Sequence, residues 1–77
     1  MEFSFDIKQH LKVLSTNKQG WTKELNIVAW GENDPKLDIR EWNQTYERMS
    51  KGITLSIPEA IELRDALNDY LRRQHYE

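Results

Sequence analysis

The sequence predicts an α+β fold in which four antiparallel strands precede one C-terminal helix, within a single domain spanning residues 1–77. Three observations predict it. Apolar and polar residues alternate with period 2 in four segments separated by turn chemistry. A helical period takes over after a capping signature at Ser56. At 77 residues with no Cys, the chain is too small to rest on its core alone.

The first strand is carried by Phe3, Phe5, Ile7, Leu11 and Val13, alternating with Ser4, Asp6, Lys8, His10 and Lys12. This predicts one apolar face and one wet, partly basic face. Asn17, Lys18, Gln19 and Gly20 then supply a turn, because Asn and Gly tolerate the positive φ of a tight reversal. A second strand runs over residues 21–30, with Leu25, Ile27 and Ala29 on one side and Glu24, Asn26, Val28 and Trp30 on the other. Residues 31–35 (GENDP) make the next hairpin connection.

The third strand covers residues 36–42, placing Leu37 and Ile39 opposite Lys36, Asp38, Arg40 and Trp42. A polar loop at 43–50 leads to a short closing strand, KGITL at 51–55, with Ile53 and Leu55 inward and Gly52 marking a bulge. Ser56, Pro58 and Glu59 then form a helix start, with Ser at the N-cap, Pro in the first turn and Glu completing a capping box. The helix is expected over 58–73, with Ala60, Leu63, Leu67, Tyr70 and Leu71 as its core-facing stripe.

A domain of this length buries only about 60% of its unfolded surface, so a disulfide, a metal or a partner must supplement the core. The absence of Cys excludes disulfides. His10 and His75 stand alone, without the paired spacing of a zinc site, so no metal or cofactor is expected. Assembly as a homodimer remains, and Ile57 and Ile61 are helix residues that need not all face the chain's own sheet. The lack of Cys favours a reducing, cytoplasmic compartment. No stretch approaches a membrane span, and MEFSFDIKQH has no basic region followed by an apolar run, so the mature protein is expected to be the whole chain.

A helix of 16 residues is about 24 Å long and covers one face of a four-stranded sheet. The other face is expected to stay open, carrying Trp30 and Trp42 with Lys8, Lys12, Lys36 and Arg40. Aromatic planes interleaved with cations suit a single nucleic-acid strand, whose bases stack while its phosphates pair. Trp and Arg are equally the residues of protein–protein interfaces, so a protein-interaction module using the same face stands as the alternative. The net charge of −2 requires any basic site to be local. Residues 1–56 hold eight Lys or Arg against eight Asp or Glu, while 57–77 hold three against five, which puts the acidic excess on the helix. No nucleophile–base pair, paired catalytic carboxylates or glycine-rich phosphate loop occurs at recognisable spacing, so no enzyme or small-molecule substrate is expected.

Residues 37–42 (LDIREW), a loop, and 51–59 (KGITLSIPE) leading into an amphipathic helix resemble the transcriptional positive cofactor 4 family, with its aspartate–isoleucine–arginine and lysine–glycine–isoleucine motifs. GWTKELNIVAW at 20–30 further resembles its compact bacterial, YdbC-like branch. The resemblance implies a homodimer of a curved four-stranded antiparallel β-sheet followed by one C-terminal α-helix (β-β-β-β-α). It also implies single-stranded DNA binding on the concave sheet surfaces, with RNA as a second candidate ligand and a role in transcription, replication or repair. Matched motif by motif, it assigns the ligand to Arg40, Trp42 and Lys51, with Trp30 and Lys23 from the preceding strand. Trp21 and Lys36 complete the candidate set. Strict alternation puts Lys23 beside Leu25, so either a bulge intervenes near Glu24 or Lys23 reaches the ligand from the rim. The Ser-rich basic tail of eukaryotic members is missing here, and coactivator functions tied to it are not carried over.

Overall fold

The computed structural model describes residues 4–75; Phe3 lies outside them. β1 (Phe5–Thr16), β2 (Thr22–Trp30), β3 (Lys36–Trp42) and β4 (Ile53–Leu55) form one antiparallel sheet in the order β1-β2-β3-β4, and α1 (Ile57–His75) follows. This is the predicted α+β architecture.

Each junction has the chemistry its residues dictate. At the first hairpin the Asn17 Oδ1 accepts the backbone N–H groups of Gln19 and Trp21, both at 2.9 Å, and Gly20 adopts φ 87°. At the helix start the Ser56 Oγ accepts the Glu59 N–H at 3.2 Å while Glu59 Oε1 accepts the Ser56 N–H at 2.8 Å, a complete capping box.

The β2–β3 ladder is continuous, from Thr22 opposite Trp42 to Val28 opposite Lys36, and keeps the predicted two faces. β1 does not. Register shifts between Ile7 and Gln9, His10 and Lys12, and Val13 and Ser15 break its alternation three times. Phe5, Ile7, His10 and Val13 therefore pair with Trp30, Val28, Asn26 and Glu24 and share their face, while Lys12 falls opposite Leu25 on the other. The expected division of β1 into an apolar and a basic face is corrected accordingly. Each bulge adds a residue and increases local twist.

The sheet curls towards the Glu24–Trp30 face. By register Phe5 sits opposite Trp30 and Trp42 opposite Thr22, the two ends of β2. Eight residue steps span about 26 Å in a straight strand. Yet the Phe5 and Trp42 ring centroids are only 5.3 Å apart. Curvature closes the concave face on itself, and Glu24, Asn26, Val28, Asp38 and Trp42 are all buried there.

The convex face carries Leu25, Ile27, Leu37 and Ile39, and it is less buried than the concave one. α1 stands off from it, leaving an apolar groove of about 400 Å³ between Leu25, Leu37, Ile39 and Leu55 on the sheet and Leu63, Leu67 and Leu71 on the helix. Ala60, Leu63, Leu67 and Leu71 turn towards the sheet as expected, but Leu63, Leu67 and Leu71 stay exposed, Tyr70 does not line the groove, and Ile53 is exposed rather than inward. The Cα radius of gyration of 14.4 Å exceeds the roughly 11 Å of a compact chain of this length.

Candidate nucleic-acid interface

The concave face is organised by two buried carboxylates. Glu24, 1% exposed, accepts hydrogen bonds from Thr22 Oγ1, from Tyr46 Oη at 2.7 Å and from Asn26 Nδ2 at 2.9 Å, with His10 Nδ1 at 3.4 Å. Burial pushes its pKa up, but the bonds from Thr22, Tyr46, Asn26 and His10 together outweigh that, and the carboxyl titrates below its ordinary value. Tyr46 is displaced the opposite way, upward, first by its bond to Glu24 and then by burial and the carboxylate charge.

Asp38 is the second anchor, with no exposed surface. Its Oδ1 accepts Arg40 Nε at 2.7 Å, and its Oδ2 accepts Arg40 Nη2 at 2.9 Å and Trp30 Nε1 at 3.3 Å. The Arg40 guanidinium carbon stands 4.4 Å from the Trp30 ring centroid, so cation and aromatic are held as one unit. Gly52 permits this. A Cβ there would collide with the Ile39 carbonyl oxygen and Arg40 Cβ, and would lie 2.9 Å from Arg40 Nε. Its role is close approach immediately before β4.

Loop 43–50 is ordered by Asn43, whose Oδ1 accepts the N–H groups of Glu47 at 2.9 Å and Arg48 at 3.0 Å. Tyr46 takes φ 61°, a strained conformation for an aromatic residue, held by its bond to Glu24 and its contact with the Trp42 ring at 5.7 Å. Ser50 is tied to Glu41 by N–H donation in both directions along the chain: the Ser50 N–H to the Glu41 carbonyl at 2.9 Å, and the Glu41 N–H to Ser50 Oγ at 3.0 Å. Arg48 and Met49 are thereby placed over the concave side.

An open cleft of about 1040 Å³ results, lined by Trp21, Trp30, Arg40, Arg48, Met49 and Lys51 among others. Four of the seven predicted site residues, Trp21, Trp30, Arg40 and Lys51, meet there. Lys23 is exposed in an adjoining recess beside Lys51 and Arg40. The β2–β3 ladder runs unbroken past Glu24, and the register shift there lies in β1 between Val13 and Ser15, so Lys23 keeps the side of Leu25. Lys36 is exposed on β3 and lines neither recess.

Trp42 corrects the expectation that two tryptophans stand in water. It is 0% exposed, packed between Phe5 and Tyr46. Its ring presents no open plane to a base, and its Nε1 is buried without an acceptor among the described residues. Lys8 and Lys12 also fall away: Lys8 pairs with Asp6 at 2.9 Å, and Lys12 lies opposite Leu25 on the convex side. Arg48 was missed in the sequence, although a cation three residues before Lys51 in a turn-forming loop was the available signal. Among the described residues no cluster of three or more His, Asp or Glu side chains is placed to hold a metal ion.

Residues 17–66 match the family model described as Transcriptional Coactivator p15 (PC4). An uncharacterised protein of Treponema pallidum (strain Nichols) is 37% identical over 67 residues, covering 87% of this chain and 79% of that protein. The matched residues contain β2, β3, β4, the loop that carries Arg48 and the N-terminal half of the helix. The chain belongs to the PC4 family of transcriptional coactivator p15.

Proposed function

We propose that this protein binds single-stranded DNA with little sequence preference, and RNA as a second ligand, along the concave cleft, and that it does so as a homodimer in the service of transcription or another process that exposes single strands. The observation that carries the reading is the meeting of Trp21, Trp30, Arg40, Arg48 and Lys51 in one open cleft of a PC4-family chain. Aromatic planes there suit unpaired bases, and a rim of cations suits the phosphates on either side. A duplex hides its bases and is too stiff to follow a strongly curved floor. The net charge of −2 makes the binding depend on this local arrangement.

The dimer is supported by a different feature. Ile57, Ile61, Leu67 and Leu71 are 67%, 42%, 48% and 48% exposed along one helix, beside a groove the chain itself leaves open. Apolar surface on that scale calls for a partner, and a second copy pairs its surface with its own. Two clefts on one dimer add avidity along a strand.

Fluorescence anisotropy with labelled oligo-dT, its RNA counterpart and a duplex of equal length tests the proposal. The expected order is oligo-dT tightest and duplex weakest, with Trp30→Ala lowering affinity alike for oligo-dT and mixed sequences. Equal or stronger duplex binding overturns the single-strand reading. No binding of any of the three at low salt transfers the aromatic cleft to a protein partner.

A further inference from the structure

Arg40 is one of the cations that line the cleft, and on charge alone it would be read as a phosphate ligand. Its surroundings argue otherwise. Nε and Nη2 are both committed to Asp38, at 2.7 and 2.9 Å, and Nη1 lies 3.8 Å from the Met49 sulfur. The side chain is 14% exposed and its carboxylate partner 0%. A phosphate that drew the guanidinium away would strand a fully buried carboxylate and would also take from the Trp30 ring the cation that lies 4.4 Å from its centroid. The pair carries no net charge, so it neutralises no phosphate and displaces none of the counterions condensed on the strand.

What Arg40 retains is its plane. The guanidinium is flat, delocalised and weakly hydrated, and such planes stack on aromatic rings and on bases. It already lies 4.4 Å from the centroid of Trp30. Resting on the proposed single-strand binding, the geometry points to Arg40 as a stacking surface, backed by Trp30 and locked by Asp38, that meets a base rather than a phosphate. Lys51, Arg48 and Lys23 are exposed and form no ion pair among the described residues. They carry the phosphate contacts. Asp38 touches no ligand and acts as a positioning residue through its hold on Arg40 and Trp30.

The two roles separate in the salt dependence of affinity. For a single strand, each phosphate neutralised contributes about 0.7 to the slope of log affinity against log salt. Oligo-dT binding is measured from low to moderate salt for the unmodified chain, Lys51→Gln, Arg40→Lys and the double variant Asp38→Asn with Arg40→Gln, each first checked for native circular dichroism. Lys51→Gln should lower the slope by about 0.7, the contribution of one phosphate contact. Arg40→Lys keeps the charge and loses the plane. It should weaken binding by about fivefold to a hundredfold, the range of one lost base stack, at unchanged slope. The double variant removes the ion pair without stranding a buried charge and should also leave the slope unchanged. If Arg40→Lys binds as tightly as the unmodified chain, or the double variant lowers the slope as Lys51→Gln does, Arg40 is a phosphate ligand and the inference is overturned while binding stands. Failure of the unmodified chain to bind oligo-dT at low salt overturns the function and the inference together.

Discussion

Phe5 and Trp42, which the strand register assigns to opposite ends of β2, lie with ring centroids 5.3 Å apart. Their contact closes the floor of the concave face and makes Trp42 a core residue of a sheet with few others. Trp42→Ala should cost about 3–5 kcal/mol in urea unfolding, the usual range for a buried aromatic. Trp42→Phe should cost less, because it removes a buried N–H that has no acceptor. Equal losses for the two would show that the ring's bulk is not what matters.

The Glu24–Tyr46 bond links β2 to the loop that carries Arg48, and both partners titrate away from their ordinary values. Glu24 lies below its ordinary 4.5 when folded, so its stabilisation is full above that value and fades as pH falls through the lower folded pKa. Tyr46 lies above its ordinary 10.0, so its share is full below pH 10.0 and fades as pH rises through the higher folded pKa. Denaturant unfolding across pH should show a plateau between these limits. Tyr46→Phe should lower the plateau by about 1 kcal/mol and abolish most of the alkaline decline. A decline unaltered in that variant would assign it to other groups.

Gly52→Ala places a methyl group against Arg40 and the Ile39 carbonyl. Overpacking of this kind costs about 1–3 kcal/mol. Because two of the three crowded atoms belong to Arg40, oligo-dT affinity should fall as well, even at temperatures where the variant is fully folded. Native affinity in a folded Gly52→Ala chain would separate β4 packing from the cleft.

Dimerisation is read most simply at Ile61, which is 42% exposed on the helix and does not itself line the groove. Light scattering at micromolar concentration should give twice the chain mass, and Ile61→Glu should shift it towards one. A single-chain mass for the unmodified protein contradicts the dimer.

Much of this was legible in the sequence for identifiable reasons. β2 and β3 pair without interruption, so period 2 reports their faces correctly, and the turn at Gly20 and the capping box at Ser56 and Glu59 use side-chain bonds that leave a fixed spacing. β1 misled because Leu11 and Val13 continue the parity of Phe5 and Ile7, while the bulges beside His10 and Val13 change which residues face inward without changing the letters. The burial of Trp42 follows from sheet curvature, a sum over many residues that no local pattern records. Four cleft residues were found because family motifs and aromatic–cation interleaving mark them, whereas Arg48 depends on how Asn43 folds a loop.

The central claim is that bases enter the concave cleft while Trp42 stays beneath it, and the three tryptophan indole N–H signals in a nitrogen–proton correlation spectrum report this residue by residue. On titration with oligo-dT, the Trp21 and Trp30 signals and the amides of Arg48 and Lys51 should shift most, with Trp42 and the groove residues Leu63 and Leu67 shifting least. Shifts concentrated along the helix groove, or none in the cleft at low salt, would contradict the account.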